Sequence, residues 1–590
     1  MLELTDRDAA GRICKWTVGK HTIRTPNICI VVNPNRMSVS AAELKQEFKA
    51  DILITNSYII RRSANLSEVA LSKGVHSLLG WDGPLYTDSG TYQMFSQGKA
   101  DVKPEEIIAY QKKIGSDIIT PLDMFTRPTD DLKTAKSKLA TTLDRIKAAR
   151  RAQPDINLVG PIQGGRFLEL RKKACVEVAK LNPDVFAIGG IVPLMMQYRF
   201  RDLADVILTC KSNLPAHTPI HAFGAGHPMV FALLAAFGCD LFDSAMYSLA
   251  AERGAYLTVS GTRQLSDLKE FPCSCPLCSD TVPKRVLELP EEERKRWLAR
   301  HNLYVTFQEL RTIRTAIREN SLWELVQERA RAHPSLLMAL EHGLKNYPNL
   351  FQELDPVSKK SALMWGGEET AVRPEVVRAK DWLKRVPMKK PFRKEPFGKV
   401  PSALKSFYPF GQSVTERSER PKKVKPAEIV AATLDYQFGK GASKPFKKAR
   451  IEVSRNTGRL RRLWKNDLLL GTFRPSDGFF LPSLEGNNLL KPYIKKVSIK
   501  DPDVARFVRE GRAVFAKFAS PEKGILPGEE VAVVHKAKII AVGKALLNSA
   551  EMKQMKKGVA VEIRSASHFD GSASGARKAV EVRAKAWDQR

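Results

Sequence analysis

Two groups of residues in this 590-residue chain have types and spacings that can do chemistry. The first is a pair of acids, Asp88 in the run Thr-Asp-Ser-Gly and Asp243 in Phe-Asp-Ser-Ala, each directly after a short apolar run. Two carboxylates at facing positions suit chemistry at a glycosidic carbon, where one attacks and the other handles protons. The second group is Cys273, Cys275 and Cys278, followed by His301. Three thiols and an imidazole make a full tetrahedral donor set for one zinc ion per chain. His301 as the fourth ligand rests on its position alone. A disulfide explains the cluster less well, because three neighbouring thiols cannot all pair. The other cysteines (Cys14, Cys29, Cys175, Cys210 and Cys239) are scattered singly in apolar segments, which fits a reducing compartment. With four protein ligands no coordination position is open, so the expected zinc is a structural clamp.

The elements that must position these residues can be read from hydrophobic patterning. Short apolar runs stand at 28–32, 52–55, 85–87, 118–121, 158–162, 185–188, 220–223 and 241–242. Amphipathic helical stretches such as 104–114, 129–153 and 167–180 lie between most of them. Eight strands with helical crossovers predict an α/β chain built on a (β/α)8 TIM-type barrel. A doubly wound open sheet is the alternative, but no glycine-rich nucleotide loop opens its first helix. Polar residues and glycines follow six of the strands: Asp88-Ser89-Gly90, Asp123, Gln163-Gly164-Gly165, Gly189-Gly190, Gly224-Ala225-Gly226 and Asp243. One such acid reads as a turn former or helix cap. Six positions after six strands read as the site that barrel strand ends build.

The formal net charge of +32 points to a polyanionic partner, with nucleic acid first. Residues 378–425 hold 15 Lys or Arg against 4 Asp or Glu. Phe392, Phe397, Phe407, Tyr408 and Phe410 are interleaved there, which predicts an RNA-facing stretch. The N-terminus lacks a basic region followed by an apolar run, so no signal peptide is expected. The longest apolar run, around 229–239, is too short to span a bilayer, and a cytoplasmic protein is expected. The domain reading is a catalytic barrel over 1–345 with a zinc-binding insertion at about 265–305. A small mixed domain over 346–426, a small α/β domain over 427–494 and a compact β domain over 495–590 follow.

A set of motifs then carries a family resemblance. Tyr86-Thr-Asp-Ser-Gly-Thr-Tyr-Gln93, Gly160-Pro-Ile-Gln-Gly164, Ala187-Ile-Gly-Gly190, Phe242-Asp-Ser-Ala245 and the cysteine–histidine cluster together resemble the tRNA-guanine transglycosylases. The match in order and spacing covers about residues 20–345, and the C-terminal units resemble the archaeal, archaeosine-forming type. The last unit is similar to a PUA domain, in Gly511–Phe518, 526–531 and 557–562.

The resemblance implies exchange of guanine at position 15 in the D arm of tRNA through a covalent ribosyl-aspartate. Asp243 would be the nucleophile and Asp88 the general acid/base, although the two roles have been read both ways. Asp123 would accept hydrogen bonds from the guanine-like edge, Gln163 would bond the base carbonyl, and Gly190 would let backbone groups approach. Tyr92 and Phe223 would sandwich the base, and Ser89 belongs to the same substrate-binding set. For both rings the plainer reading is core packing. The family implies a homodimer. Bacterial-type relatives, which use a cationic base, carry an acid shortly after the Gly-Gly; here the run Gly190-Ile-Val-Pro-Leu-Met-Met-Gln197 has none. A buried ammonium would lack a partner there, so the expected incoming base is 7-cyano-7-deazaguanine. Met246-Tyr-Ser-Leu-Ala stands where those relatives have a Pro-Thr-Arg segment, which favours a target away from the anticodon. The rival readings are a queuine-type enzyme acting at the anticodon, a paralogue without exchange activity, a non-catalytic tRNA-binding protein and a glycoside hydrolase.

Overall fold

Strands buried on both faces need mostly apolar residues, and the eight largely apolar runs of the N-terminal half meet that need. In a computed structural model, which describes residues 2–96, 102–387, 392–395, 398–410 and 424–567, they form one closed parallel barrel. Its strands are β4 (Asn27–Val31), β5 (Leu53–Asn56), β6 (Leu85–Asp88), β7 (Ile118–Ile119), β8 (Asn157–Ile162), β9 (Val185–Ile188), β10 (Ile220–Ala222) and β11 (Leu241–Ser244). They run in sequence order around the barrel, and β11 closes on β4 with Asp243 opposite Cys29. Helices such as Pro104–Lys113, Leu132–Ala152 and Leu168–Ala179 supply the crossovers. The barrel is the expected (β/α)8 architecture.

Three strands precede it that the patterning did not announce: β1 (Leu2–Asp8), β2 (Gly11–Val18) and β3 (His21–Arg24) form an antiparallel sheet. Leu2, Cys14, Trp16, Val18 and Ile23 share one buried cluster with barrel residues Ile52, Ile118, Val159 and Leu241. Arg12 binds Asp240 through two N–H donors, Nε at 2.8 Å and Nη2 at 2.7 Å, both side chains being buried. This pair ties the sheet to the residue just before β11, and hence to the strand that carries Asp243.

After β11 the chain makes the expected insertion. A hairpin of β12 (Ala255–Thr258) and β13 (Gly261–Gln264) leads through the cysteine segment into a 29-residue helix, Glu291–Glu319. Asn302 is fully buried and joins three elements. Its Oδ1 accepts from the Leu257 amide at 2.9 Å, and its Nδ2 donates to the carbonyls of Tyr247 and Ala255. Helices Leu322–Ala330 and Pro334–Asn346 complete this unit.

A second compact unit takes Glu319–Ser321 and the chain from Pro348 onward. It contains a four-stranded antiparallel sheet over 450–482, flanked by helix Pro426–Phe438, and a six-stranded mixed sheet over 496–566. Here the reading of 378–425 as one RNA-facing stretch needs correction. Phe407, Tyr408 and Phe410 are core residues, packed with Trp382, Tyr436 and Phe479. Arg378 is buried too and donates to the carbonyls of Pro356 and Asp355 at 2.9 Å. Interleaved charge and aromatics describe a small basic domain's core and its caps as well as they describe an exposed tail. The side chains of Phe392 and Phe397 lie outside the described residues. Among the described residues no helix is long and apolar enough to cross a membrane.

Candidate active site

The strand-end residues converge at one mouth of the barrel. Asp88 ends β6, and its backbone turns sharply at Gly90, where φ is +84°. A Cβ at Gly90 would lie 2.3 Å from the Cβ of Tyr58, so only glycine fits this turn. The Asp88 carboxylate accepts a hydrogen bond from Asn56 Nδ2 at 3.0 Å and the amides of Ser89 and Gly90. Burial, then the negative charges of Asp123 and Asp243, push its pKa up to about 7. A carboxyl poised there can both give and take a proton near neutral pH. Ser89 is buried beside it, its hydroxyl 3.2 Å from that of Thr91.

Asp243 lies on β11, only 8% exposed. Its Oδ1 takes two contacts: the Gly224 amide donates to it, and His221 Nε2 stands at 2.9 Å. Among the described residues nothing donates to Oδ2. Gly224 also has positive φ, and a Cβ there would strike Val192 Cγ2 at 2.3 Å. That glycine therefore lets the backbone amide reach the acid.

Asp123 follows β7, and burial raises its pKa. Its Oδ2 accepts from Gln163 Nε2, so the two groups assigned to base recognition are already joined to each other. Gln163 is 2% exposed, and its Oε1 has no hydrogen-bond partner among the described residues. A Cβ on Gly189 would come within 2.4 Å of Gln163 Nε2, and one on Gly190 within 3.4 Å of Oε1. The two glycines thus fold backbone onto the Gln163 amide. Phe223 is partly buried, with its ring centroid 4.9 Å from that of His221 and 6.3 Å from that of Tyr86. The side chain of Tyr92 lies outside the described residues.

Three residues of this site were missed by sequence reasoning: Asn56, which ends β5 and donates to Asp88, and two more deeply buried ones. His221, in β10, is fully buried and touches Asp243. Its signal was a titratable residue inside an apolar barrel strand, two positions before Phe223. Arg171, on helix Leu168–Ala179, is also fully buried and donates to the carbonyls of Ile162 and Gly165 at 2.6 and 2.9 Å. It clasps the loop that presents Gln163 from both sides. No local motif marks it.

The cysteine cluster is a separate centre. One donor atom each from Cys273, Cys275, Cys278 and His301 lies within 4.8 Å of the others, and the group could hold a metal ion. His301 Nδ1 is 3.7 Å from Cys275 Sγ and 3.3 Å from Cys278 Sγ. A tetrahedral site with bonds of about 2.3 Å to sulfur has edges of about 3.8 Å, so the spacing fits. The other ring nitrogen, Nε2, stands 3.1 Å from the Leu257 carbonyl, which fixes the tautomer and leaves Nδ1 free to ligate. Tyr256 stacks on the imidazole at 3.6 Å between centroids.

A parallel barrel with carboxylates and backbone amides at its strand ends, and a thiol–imidazole cluster after the last strand, defines the class as a (β/α)8 barrel protein with an acidic strand-end site and a separate candidate metal centre. Comparison with known proteins narrows the class. Residues 6–335 match the family model described as queuine tRNA-ribosyltransferase. Residues 428–496 match the patch-forming domain C2 of tRNA-guanine transglycosylase, and 495–566 match the PUA domain. A protein of Thermococcus onnurineus named tRNA-guanine(15) transglycosylase is 42% identical over 95% of this chain and 98% of its own. Proteins of the same name from Pyrococcus furiosus and Methanocaldococcus jannaschii are 41% and 37% identical over 95% of this chain, covering 97% and 98% of theirs. The chain belongs to the tRNA-guanine transglycosylase family and is a pentosyltransferase.

Proposed function

We propose that this enzyme exchanges guanine at position 15 of tRNA for 7-cyano-7-deazaguanine, a step of archaeosine formation, through a covalent ribosyl-Asp243 intermediate. The observation that carries the mechanism is the unequal treatment of two carboxylates. Asp88 is held as a neutral acid up to about pH 7, while Asp243 has one oxygen tied by two contacts and the other open. Oδ2 of Asp243 attacks C1′ of the ribose as the C1′–N9 bond breaks, and the leaving guanine takes the proton from Asp88. In the return step the Asp88 carboxylate takes the N9 proton of the incoming base. N9 then attacks C1′ and releases Asp243. One hard displacement is thereby split into two easier ones.

Position 15 is the specificity in the names of relatives that cover nearly the whole chain. Asp123 faces an NH and NH2 edge as a paired acceptor, and Gln163 can turn its second amide hydrogen to the base carbonyl. The absence of a carboxylate over 190–197 favours a neutral nitrile at the 7-position. The PUA-like domain and the +32 charge supply sequence-independent grip on tRNA phosphates. We assign zinc to the cluster from its three thiolates and one imidazole, as a structural ion. Zinc bound there locks the hairpin after β11 to the long helix. Cys273, Cys275, Cys278 and His301 would hold it, with no part in the transfer. Met246, Leu249, Val282 and Leu287 are exposed on the segment after Asp243, which suits a homodimer interface. A cytoplasmic location accords with the eight free thiols.

The test is exchange of radiolabelled guanine into a tRNA transcript, followed by mapping of the labelled nucleotide. Asp243→Ala is expected to lower exchange by at least ~10⁴-fold, the scale of removing a nucleophile, with melting unchanged. Exchange that survives Asp243→Ala, or label that maps outside position 15, overturns the reading. Better use of an aminomethyl base than of the nitrile overturns the base assignment alone.

A further inference from the structure

One side chain in contact with the proposed nucleophile has been given no role. His221 lies on β10, whose parallel register with β11 sets His221 opposite Leu241 and Ala222 opposite Phe242. The side chain enters the barrel interior and is fully buried. The ring of Tyr86 from β6 packs edge-on at 5.7 Å, and Phe223 covers it at 4.9 Å. Nδ1 of His221 is buried with no hydrogen-bond partner among the described residues, whereas Nε2 stands 2.9 Å from Asp243 Oδ1. A proton on Nδ1 would be stranded among aromatic rings with no acceptor to take it. The surroundings therefore place a proton on Nε2, where it is donated to Asp243.

We infer that His221 is a positioning residue: it and the Gly224 amide clamp Oδ1 of Asp243 from β10, so that Oδ2 is the one oxygen presented to the ribose carbon. The inference rests on the reading of Asp243 as the nucleophile. Two donors on one oxygen stop the carboxylate from turning about its last torsion. They also support its negative charge beside Asp88 and Asp123. The second effect matters because Asp88 and Asp243 must differ: the proton belongs on Asp88 and the charge on Asp243. Without His221 only the Gly224 amide would hold Oδ1, and the two oxygens would compete for it. The clamp acts on attack and on collapse of the intermediate, and it touches neither base nor tRNA. Its loss should thus appear in kcat and leave KM alone.

The experiment measures guanine exchange for wild type, His221→Phe, His221→Gln, His221→Asn and Asp243→Ala, with melting and tRNA affinity recorded for each. Phe keeps the ring volume and removes the donor. Gln returns an amide N–H near the place of Nε2, and Asn is too short to do so. We expect His221→Phe to lose about 10–100-fold in kcat, the range found for groups that orient a reactive ligand, with KM for guanine and tRNA within about twofold. His221→Gln should recover most of that loss, and His221→Asn should not. Wild-type kcat in folded His221→Phe overturns the inference. So does equal kcat in the Gln and Asn variants, a comparison that still decides if Phe fails to fold. Activity in Asp243→Ala shows instead that the nucleophile was misassigned. An inactive Asp243→Ala beside a fully active His221→Phe sinks the clamp alone.

Discussion

At the cysteine cluster four donor atoms point at one another across less than 4.8 Å; at the barrel mouth three carboxylates point past one another. The difference lies in what answers the charge. Three thiolates and an imidazole leave no side open, and a single cation can satisfy all four. Asp88, Asp123 and Asp243 have no such partner. Among the described residues no Lys or Arg forms an ion pair with any of them. They are held by Asn56, Gln163, the Gly224 amide and His221. The amide donors of Asn56, Gln163 and Gly224 fix the carboxylates without neutralising them, so the charges repel. Asp88, raised by burial and then by the charges of Asp123 and Asp243, keeps its proton to about pH 7. A closed cluster stores stability, whereas an unbalanced one stores reactivity.

Removal of the zinc we propose for the cluster should break this contrast most severely. Cys278→Ala, or exhaustive chelation, is expected to lower the melting temperature by at least ~10 °C, since a structural zinc supplies about 10 kcal/mol or more of apparent folding energy. Activity should be lost in parallel with folding. The barrel-mouth substitutions should leave melting within about 2 °C of wild type. A Cys278→Ala protein that melts like wild type and has lost only exchange would place the cluster in the chemistry, and the contrast would fall.

The pH dependence of the two half-reactions sharpens the other side. Formation of the covalent intermediate needs the proton on Asp88. In single turnover its rate should be flat below pH 7 and fall about tenfold per unit above it, about 100-fold by pH 9. Release by incoming base needs the Asp88 carboxylate, so that rate should rise toward pH 7 and level off above it. A chase with unlabelled guanine after trapping separates the two steps. Parallel profiles would mean that a different group carries the proton.

How far these two centres were legible in the sequence follows from the kind of order each requires. All eight barrel strands could be read, because a parallel strand covered on both faces is a continuous apolar run. Sheet β1–β3 could not: Leu-Glu-Leu-Thr-Asp-Arg-Asp reads as a polar terminus, yet Leu2 is buried against barrel residues and Asp8 is buried where it accepts from the Leu322 amide. Asp88, Asp123 and Asp243 could be read because strand ends with glycines are where a barrel does chemistry. His301, read from position alone, lies in the structure with Cys273, Cys275 and Cys278, whose clustering was legible from donor type and spacing. His221 and Arg171 were not, because a buried titratable residue in an apolar segment looks the same whether it is satisfied in the core or aimed at a carboxylate. Phe407, Tyr408 and Phe410 were misread for a related reason: composition tells that aromatics and cations are neighbours in sequence, but not which of them face inward.

The smallest effect is expected at Asp123, and it tests whether the acids act as a set. Asp123→Asn replaces one acceptor oxygen by an NH2 group and sets donor against donor at the base's NH edge. KM for guanine should rise about tenfold, the worth of one charge-assisted hydrogen bond, with kcat little changed. A second consequence follows from charge rather than contact. After burial, the charge of Asp123 is the largest influence holding Asp88 above the usual carboxylate range, ahead of that of Asp243. Removing it lets Asp88 ionise more readily, so the break in intermediate formation should move below pH 7. The two readouts are independent: the KM change reports the base edge, and the shifted break reports coupling through the field. A raised KM with an unmoved break would mean that burial alone sets Asp88, and the barrel mouth would then be three separate acids rather than one unbalanced cluster.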